Sequence, residues 1–292
     1  LAVRALNCSE SYFCLGLTIF VEFVERYNGC GLLVSVKKKI AEAYGIQKVE
    51  IFETESFGKM LVIDGKVQVT EFDEPFYHEM LVHVPMNSCK NAKSVLIIGG
   101  GDGGALREVL KHDVEKVVLV EIDNNVIELC KKFLKIDAGA FDDSRVKVVI
   151  EDGRKFIEHC ETFDVIIVDG TDPVGVSDPL FGGDFFEICN KKCGVFCSQS
   201  QSPLIQRQLF RKMIVNSSVI RNRTVFTSVV PTYPMAYWSF IIGGDFSFRY
   251  VRRNYRKIKG KTKHYNPEVH FSAFALPNWL KEEIRDAELR GS

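Results

Sequence analysis

Five carboxylates, Asp102, Glu121, Asp152, Asp169 and Asp172, stand at or just after the ends of short apolar runs. At such ends an acidic side chain can accept hydrogen bonds from a ligand or pair with a cation. Asp102 lies inside Gly99-Gly100-Gly101-Asp102-Gly103-Gly104, which satisfies G-x-G-x-x-G between the apolar run Val95 to Ile98 and a helix-like segment. Glycines there let the backbone turn sharply and approach a ligand. Glu121 follows Gly99 by twenty-two residues, the place from which an acid accepts bonds from two ribose hydroxyls. A nucleoside ligand is expected. Asp102 argues against a dinucleotide, because a carboxylate in the turn repels a pyrophosphate; it suits a cation. Asp152, in Glu151-Asp152-Gly153, is placed to accept from the amino group of an adenine, and Asp169-Gly170-Thr171-Asp172 adds two more acids. Each acid taken singly could be a helix N-cap. Five on four strand ends point instead to an anionic pocket for a polycationic substrate.

The elements that position these acids alternate. Ser94 to Ile98, Lys116 to Ile122, Val146 to Ile150, Phe163 to Val168 and Val195 to Ser198 read as short buried strands. Between them Ala105 to Lys111, Asn125 to Leu134, Arg154 to His159 and Phe185 to Lys191 read as helices, and Leu204 to Val215 follows as another. That alternation predicts an α/β fold, a Rossmann-like doubly wound parallel sheet, over residues 75–292. Thr227 to Pro231 and Trp238 to Gly243 would add an antiparallel edge. Upstream, Gly31 to Val36, Val49 to Glu53, Lys59 to Ile63 and Lys66 to Thr70 read as strands, with Asp64-Gly65 as a hairpin turn. Residues 1–74 are therefore expected to form a small N-terminal antiparallel β domain.

Charge narrows the partners. Lys plus Arg and Asp plus Glu both number 38, so no net field draws the chain to nucleic acid or an anionic membrane. The longest apolar run, Phe13 to Val21, is nine residues, too short for a membrane span. Polar residues within the first twenty break up any signal-peptide core, so a cytoplasmic location is expected. The nine cysteines include no CxxC pair, and the six histidines no HxxxH. The cysteines read as reduced, small buried hydrophobes, and no metal site is expected. Eight Lys or Arg between Arg249 and Lys263 read as a solvated loop or exposed helix.

The glycine turn with Leu106 to His112, together with Asp64-Gly65-Lys66-Val67-Gln68, Tyr77-His78-Glu79-Met80, Asp169-Gly170-Thr171-Asp172-Pro173 and Pro231-Thr232-Tyr233-Pro234, resembles the polyamine aminopropyltransferase family, to which the spermidine synthases belong. The resemblance runs from about Tyr27 to Leu280 with its motifs in order. It implies transfer of an aminopropyl group from decarboxylated S-adenosylmethionine, a co-substrate and not a bound cofactor, to putrescine, in a homodimer or homotetramer. It also implies that Gln47, Glu121, Asp152 and the Gly99 to Gly104 turn hold the adenosine, with Gly99, Gly101 and Gly153 among the donor-binding residues. Asp102 and Asp169, with His78, would hold the donor's ammonium. Gln68, Tyr77, Asp172, Gln199 and Tyr233 would line a diamine channel, with Asp169 as base and Tyr77 its partner. Other readings of the same residues are a diamine N-methyltransferase using intact S-adenosylmethionine, and a weakly active homologue with a nucleoside-binding or regulatory role.

The chain departs from the family pattern at Gly170, where a hydroxyl is usual, and at Met235-Ala236, where Ser-Gly is usual. It departs again at Gln201 and Leu204, where Glu and Trp are frequent. Met235 is expected to add bulk near the channel and Gln201 to withhold a charge, which favours putrescine over cadaverine and makes spermidine and agmatine poor acceptors.

Overall fold

The computed structural model describes residues 21–27, 29–172 and 175–291. The readings made on the first twenty residues, and on Pro173, lie outside these. Five strands come first: β1 (Val21–Tyr27), β2 (Cys30–Tyr44), β3 (Lys48–Thr54), β4 (Lys59–Ile63) and β5 (Lys66–Thr70). They form one antiparallel sheet in the order β1-β2-β3-β4-β5. Asp64 and Gly65 at the β4–β5 turn both have positive φ, as the Asp-Gly pair predicts. The strand expected at Gly31 to Val36 is the start of the much longer β2, and β1 had no reading of its own.

Helix α1 (Glu74–Ser88) follows, and then β6 (Ser94–Gly99), α2 (Gly104–Leu110), β7 (Lys116–Glu121), α3 (Asn124–Leu129), β8 (Val146–Ile150), α4 (Gly153–His159) and β9 (Phe163–Asp169). The chain continues with α5 (Gly183–Lys192), β10 (Cys193–Gln199), α6 (Arg207–Asn216), β11 (Thr224–Val229), β12 (Tyr237–Gly244), α7 (Val251–Tyr255), α8 (Pro267–Ala273) and α9 (Asn278–Gly291). The second sheet runs β11-β12-β10-β9-β6-β7-β8; the pairs from β10 to β8 are parallel, and β11 and β12 form the antiparallel margin. Alternation along the strands sends side chains to two cores. Val95, Ile97, Val117, Leu119, Val165 and Ile167 pack on the face that carries α1 and α2, whereas Leu96, Ile98, Val118, Val120, Ile166 and Val168 face the opposite core with Phe185, Phe186 and Phe210. Both faces are covered, which is why these strands read as continuous apolar runs.

Helix α1 was not legible from periodicity. It starts with Pro75 in its first turn, contains Pro85, and is buried on every side, so it has no polar stripe. Its burial puts Tyr77 and His78 under the carboxyl edge of the second sheet. The cysteines at 189, 193 and 197 do not share a face: Cys189 lies in α5 and the other two in β10, all buried with free thiols. Part of the basic segment is a docked helix. Val251, Asn254 and Ile258 are buried, Arg252 pairs with Glu268, and Arg253 donates to the Lys90 carbonyl.

Candidate active site

The carboxyl ends of β6, β7, β8 and β9 open onto a cavity with about 780 Å³ of space, counting the part open to solvent. Gln47, Gly99, Gly101, Asp102, Glu121, Asp152, Gly153 and Asp169 all line it. A second cavity, of about 370 Å³, is lined by Asp172, Gln199, Glu25, Tyr27, Lys66 and Gln206, among others. Gln68, Tyr77, Gly170, Thr171 and Tyr233 border both. Every residue to which the resemblance gave a binding or catalytic role therefore lines one cavity or the other, except His78.

The glycine turn packs closely against its neighbours. Gly99 has φ +84°, and a Cβ there would collide with the Asp169 carbonyl oxygen; a Cβ at Gly101 would come within 2.7 Å of Glu121 Oε2. Gly101 N donates to that same oxygen at 3.1 Å, and Ile122 and Asp123 N donate to Glu121 Oε1 at 2.8 and 3.0 Å. Burial nevertheless pushes the Glu121 carboxyl up to about 7, because these three donors do not replace bulk water. The N-cap reading of the acids holds in part. Asp152 Oδ1 accepts from Arg154 N at 2.8 Å and so caps α4, leaving its other oxygen to the cavity. Asp123, which drew no notice in the sequence, caps α3 and also accepts from Gln47 N at 3.0 Å, pinning the β2–β3 turn against the second sheet.

Asp169 is the most exacting group in the site. Tyr77 donates its hydroxyl to Oδ1 at 2.7 Å, while Oδ2 is buried without a hydrogen-bond partner. Burial, together with the neighbouring Asp102 charge, pushes its carboxyl up to about 6. Asp102 accepts from Gly104 N at 2.6 Å and faces His78 Nε2 at 3.4 Å; the other His78 nitrogen lies 3.1 Å from Glu74, which Arg107 also holds, at 2.6 Å. Burial alone would lower the His78 pKa, but the carboxylates of Asp102 and Glu74 outweigh it and raise it well above the usual value. Burial likewise opposes ionisation of Asp102, and the imidazolium overcomes it, so Asp102 is lowered. His78 thus sits behind Asp102 and not on the cavity wall. One ligand atom each from His78, Asp102 and Asp169 lie within 4.8 Å of one another, a spacing that a metal site can also have. Here both His78 nitrogens already face carboxylates, leaving acidic oxygens suited to an organic cation.

On the acceptor side, Tyr233 donates to the Gln68 carbonyl at 2.6 Å and Gln206 donates to Asp172 at 2.9 Å. Gln199 donates to the Gly170 carbonyl at 3.2 Å and accepts from Gln201, so it also orders the loop that carries Asp169 and Asp172. Burial, then the Glu25 charge, pushes Asp172 up to about 6. Two expectations need correcting. Met235 is 61% exposed at φ +56° and borders neither cavity, so it adds no bulk to the channel. Gln201 is fully buried against Gln199 and does not reach the channel either. Gly170 leaves room: a Cβ there would make ordinary contacts of 3.4 Å with Leu180 and Phe181. Glu25, Tyr27, Lys66 and Gln206 escaped the sequence reading, because no local pattern links β1 or the start of α6 to the glycine turn.

A carboxylate-lined cavity at the edge of a Rossmann-like sheet, adjoining a second, aromatic-walled cavity along Gln68, Tyr77, Tyr233 and the loop after β9, is suited to a transferase of cationic substrates. Residues 74–254 match the spermine/spermidine synthase domain and residues 20–71 the spermidine synthase tetramerisation domain. The chain belongs to the spermine/spermidine synthase family. It is 64% identical to the polyamine aminopropyltransferase of Archaeoglobus fulgidus over 90% of this chain and 98% of that one. It is 44% identical to the enzyme of the same name from Caldicellulosiruptor saccharolyticus, over 82% and 88% of the two chains. Among solved structures it resembles spermidine synthase from Thermotoga maritima, with a TM-score of 0.85 and 38% identity over 94% of this chain and 97% of that one. A spermidine synthase in complex with the transition-state analogue AdoDATO matches with a TM-score of 0.85 and 39% identity, over 91% of this chain and 95% of that one.

Proposed function

We propose that this aminopropyltransferase uses putrescine as acceptor, with the donor in the larger cavity, the diamine in the smaller one, and Asp169 between them. The observation that carries the proposal is the buried, unpartnered Oδ2 of Asp169 in the larger cavity, whose Oδ1 is held by Tyr77, a residue that borders both cavities. Glu121, Asp152, Gly153, Gln47, Gly99 and Gly101 receive the adenosine of decarboxylated S-adenosylmethionine. Asp102, set by His78, and Asp169 receive its propylammonium. Decarboxylation removes the donor's only carboxylate, so Asp102 attracts this donor and repels the intact one.

One amine of putrescine attacks the methylene carbon beside the sulfonium. The C–N bond forms, the C–S bond breaks, and its electron pair returns to sulfur, giving neutral methylthioadenosine. Aliphatic amines have pKa values near ~10, so the acceptor arrives as an ammonium and must lose a proton to react. Asp169 Oδ2 takes it. Burial raises this carboxylate enough to make it a better base than a solvated Asp, and Tyr77 fixes its orientation. Alignment of amine, carbon and sulfur supplies the larger share of the acceleration. Gln68, Tyr77, Tyr233, Gln199 and Asp172 line the path of the methylenes and the second ammonium. The two units, residues 1–74 and 75–292, divide this labour, with the first supplying Gln47 and Gln68. The protein works as a homo-oligomer in the cytoplasm.

The test is product identity. The purified protein is incubated with putrescine and, separately, decarboxylated or intact S-adenosylmethionine, and the products are weighed by mass spectrometry. Spermidine and methylthioadenosine from the decarboxylated donor are expected. Methylated putrescine as the main product overturns the reading.

A further inference from the structure

Part of the wall of the smaller cavity comes from β1 and β5. Glu25 is 4% exposed, yet it lines the cavity with Tyr27, Lys66, Asp172, Gln206 and Trp238. One Glu25 oxygen accepts from Val67 N at 2.9 Å, and the other lies 3.3 Å from the Lys66 ammonium. That ammonium also donates to the Arg26 carbonyl at 3.5 Å and stands 5.1 Å above the centre of the Tyr27 ring. A carboxylate, a carbonyl and an aromatic face around one primary ammonium is the chemistry that recognises any alkylammonium. Trp238, 4% exposed, lines the same cavity, and its buried indole N–H has no hydrogen-bond partner.

We propose that Glu25 and Tyr27 form an outer alkylammonium subsite, and that Lys66, by occupying it, limits the length of the acceptor. This rests on the assignment of the smaller cavity to the acceptor. A short diamine fills the channel between Asp169 and Asp172 and leaves the Lys66–Glu25 pair intact. An acceptor one aminopropyl unit longer brings a third ammonium to the Lys66 position. It must then displace Lys66, or place two like charges side by side. The Lys66 side chain is 40% exposed, so it can swing into solvent, but only by leaving Glu25 without its counter-ion while the longer amine enters. Selection against long acceptors thus comes from a charge the protein supplies itself, and not from bulk at Met235.

The purely structural alternative is an ion pair that ties β1 to β5, and the experiment separates the two. Lys66→Met keeps the length of the side chain and removes the ammonium. The ratio of kcat/KM for spermidine to that for putrescine, at saturating decarboxylated donor, is expected to rise at least about tenfold in Lys66→Met, equal to about 1.4 kcal/mol. Lys66→Arg, which restores the cation, should keep the original ratio. Adding Glu25→Gln to Lys66→Met should abolish the gain, because the vacated subsite loses its carboxylate. An unchanged ratio in Lys66→Met, or a gain that survives Glu25→Gln, overturns the proposal. Calorimetric binding of spermidine to methylthioadenosine-loaded protein reads the same change without turnover: Lys66→Met should bind it about tenfold more tightly than the unaltered chain. If the unaltered chain makes no aminopropylated product from putrescine, the functional reading fails, whereas the spermidine affinities still decide the role of Lys66.

Discussion

The two halves of the site are built in different ways. The acids of the larger cavity stand at the ends of successive strands of a single sheet, in sequence order, each next to the apolar run that places it. The acceptor half draws on β1, β5, α1, β10, α6 and the β11–β12 turn, elements whose only relation is that the fold brings them together. The donor half is also the more strictly ordered, since Glu121, Asp152 and Asp102 each accept backbone N–H bonds from their own loops. Acceptor-side groups lean on one another: Tyr233 on Gln68, Gln206 on Asp172, Lys66 on Glu25. On the proposed assignment of the two cavities, donor identity rests on backbone-held acids, and acceptor identity on side chains that hold one another.

The largest effect should come where the halves meet. Asp169→Asn is expected to lower turnover on the order of 100-fold or more while donor binding is partly retained. The same substitution should stabilise the empty protein at pH 7 by on the order of 1 kcal/mol, because it removes a buried carboxylate with an unpartnered oxygen. A folded-state carboxyl raised to about 6 binds more protons than the unfolded chain between about pH 4 and pH 6. The stability it contributes is therefore complete at low pH and lost as the pH rises through 6, a slope that thermal melts should show to be weaker in Asp169→Asn. Activity runs the other way. The base works deprotonated, so kcat/KM should rise with pH through about 6 and then level.

Asp102→Asn sharpens the comparison from the donor side. It should weaken the decarboxylated donor more than the intact one and narrow the preference between them by roughly tenfold or more, measured as a ratio of dissociation constants. It also leaves the His78 imidazolium with Glu74 alone, so the His78 pKa, followed by NMR, should fall. Glu121→Gln should cost roughly 1 to 3 kcal/mol of donor affinity above pH 7. Below that pH the loss should shrink, since the carboxyl, raised to about 7 by burial, is then neutral like the amide. An affinity unchanged at pH 8 would make Glu121 purely structural. The smallest effect belongs to the acceptor-side turn. Met235→Ser should leave the ranking of putrescine, cadaverine, spermidine and agmatine as it is. Ala236→Gly, at φ +54°, should raise stability by about 1 kcal/mol or less.

The same contrast explains what could be read from the chain. Strands β6 to β10 were legible because continuous apolar runs alternate with helix-sized segments, and β8 and β4 fall on the residues that pattern marks. The donor acids were legible because strand, turn and helix follow one another within a few residues of each carboxylate. Tyr77, Gln68 and Tyr233 could be placed only through resemblance, since nothing in their local sequence shows that α1, β5 and the β11–β12 turn converge. Glu25 and Lys66, 41 residues apart on opposite edges of one sheet's strand order, gave no signal of their pairing, although Lys66 stands within a family motif. Met235 misled because proximity along the chain to Tyr233 says nothing of direction: the left-handed backbone at 235 turns that side chain to solvent.

Titration of the protein with decarboxylated and with intact S-adenosylmethionine, each followed by calorimetry at pH 7.5, bears most directly on selection by the carboxylates at the ends of β6 and β9. The decarboxylated donor should bind at least about 100-fold more tightly, some ~2.7 kcal/mol, because its propylammonium meets Asp102 and Asp169 without a carboxylate of its own. Equal affinities for the two donors would contradict electrostatic selection.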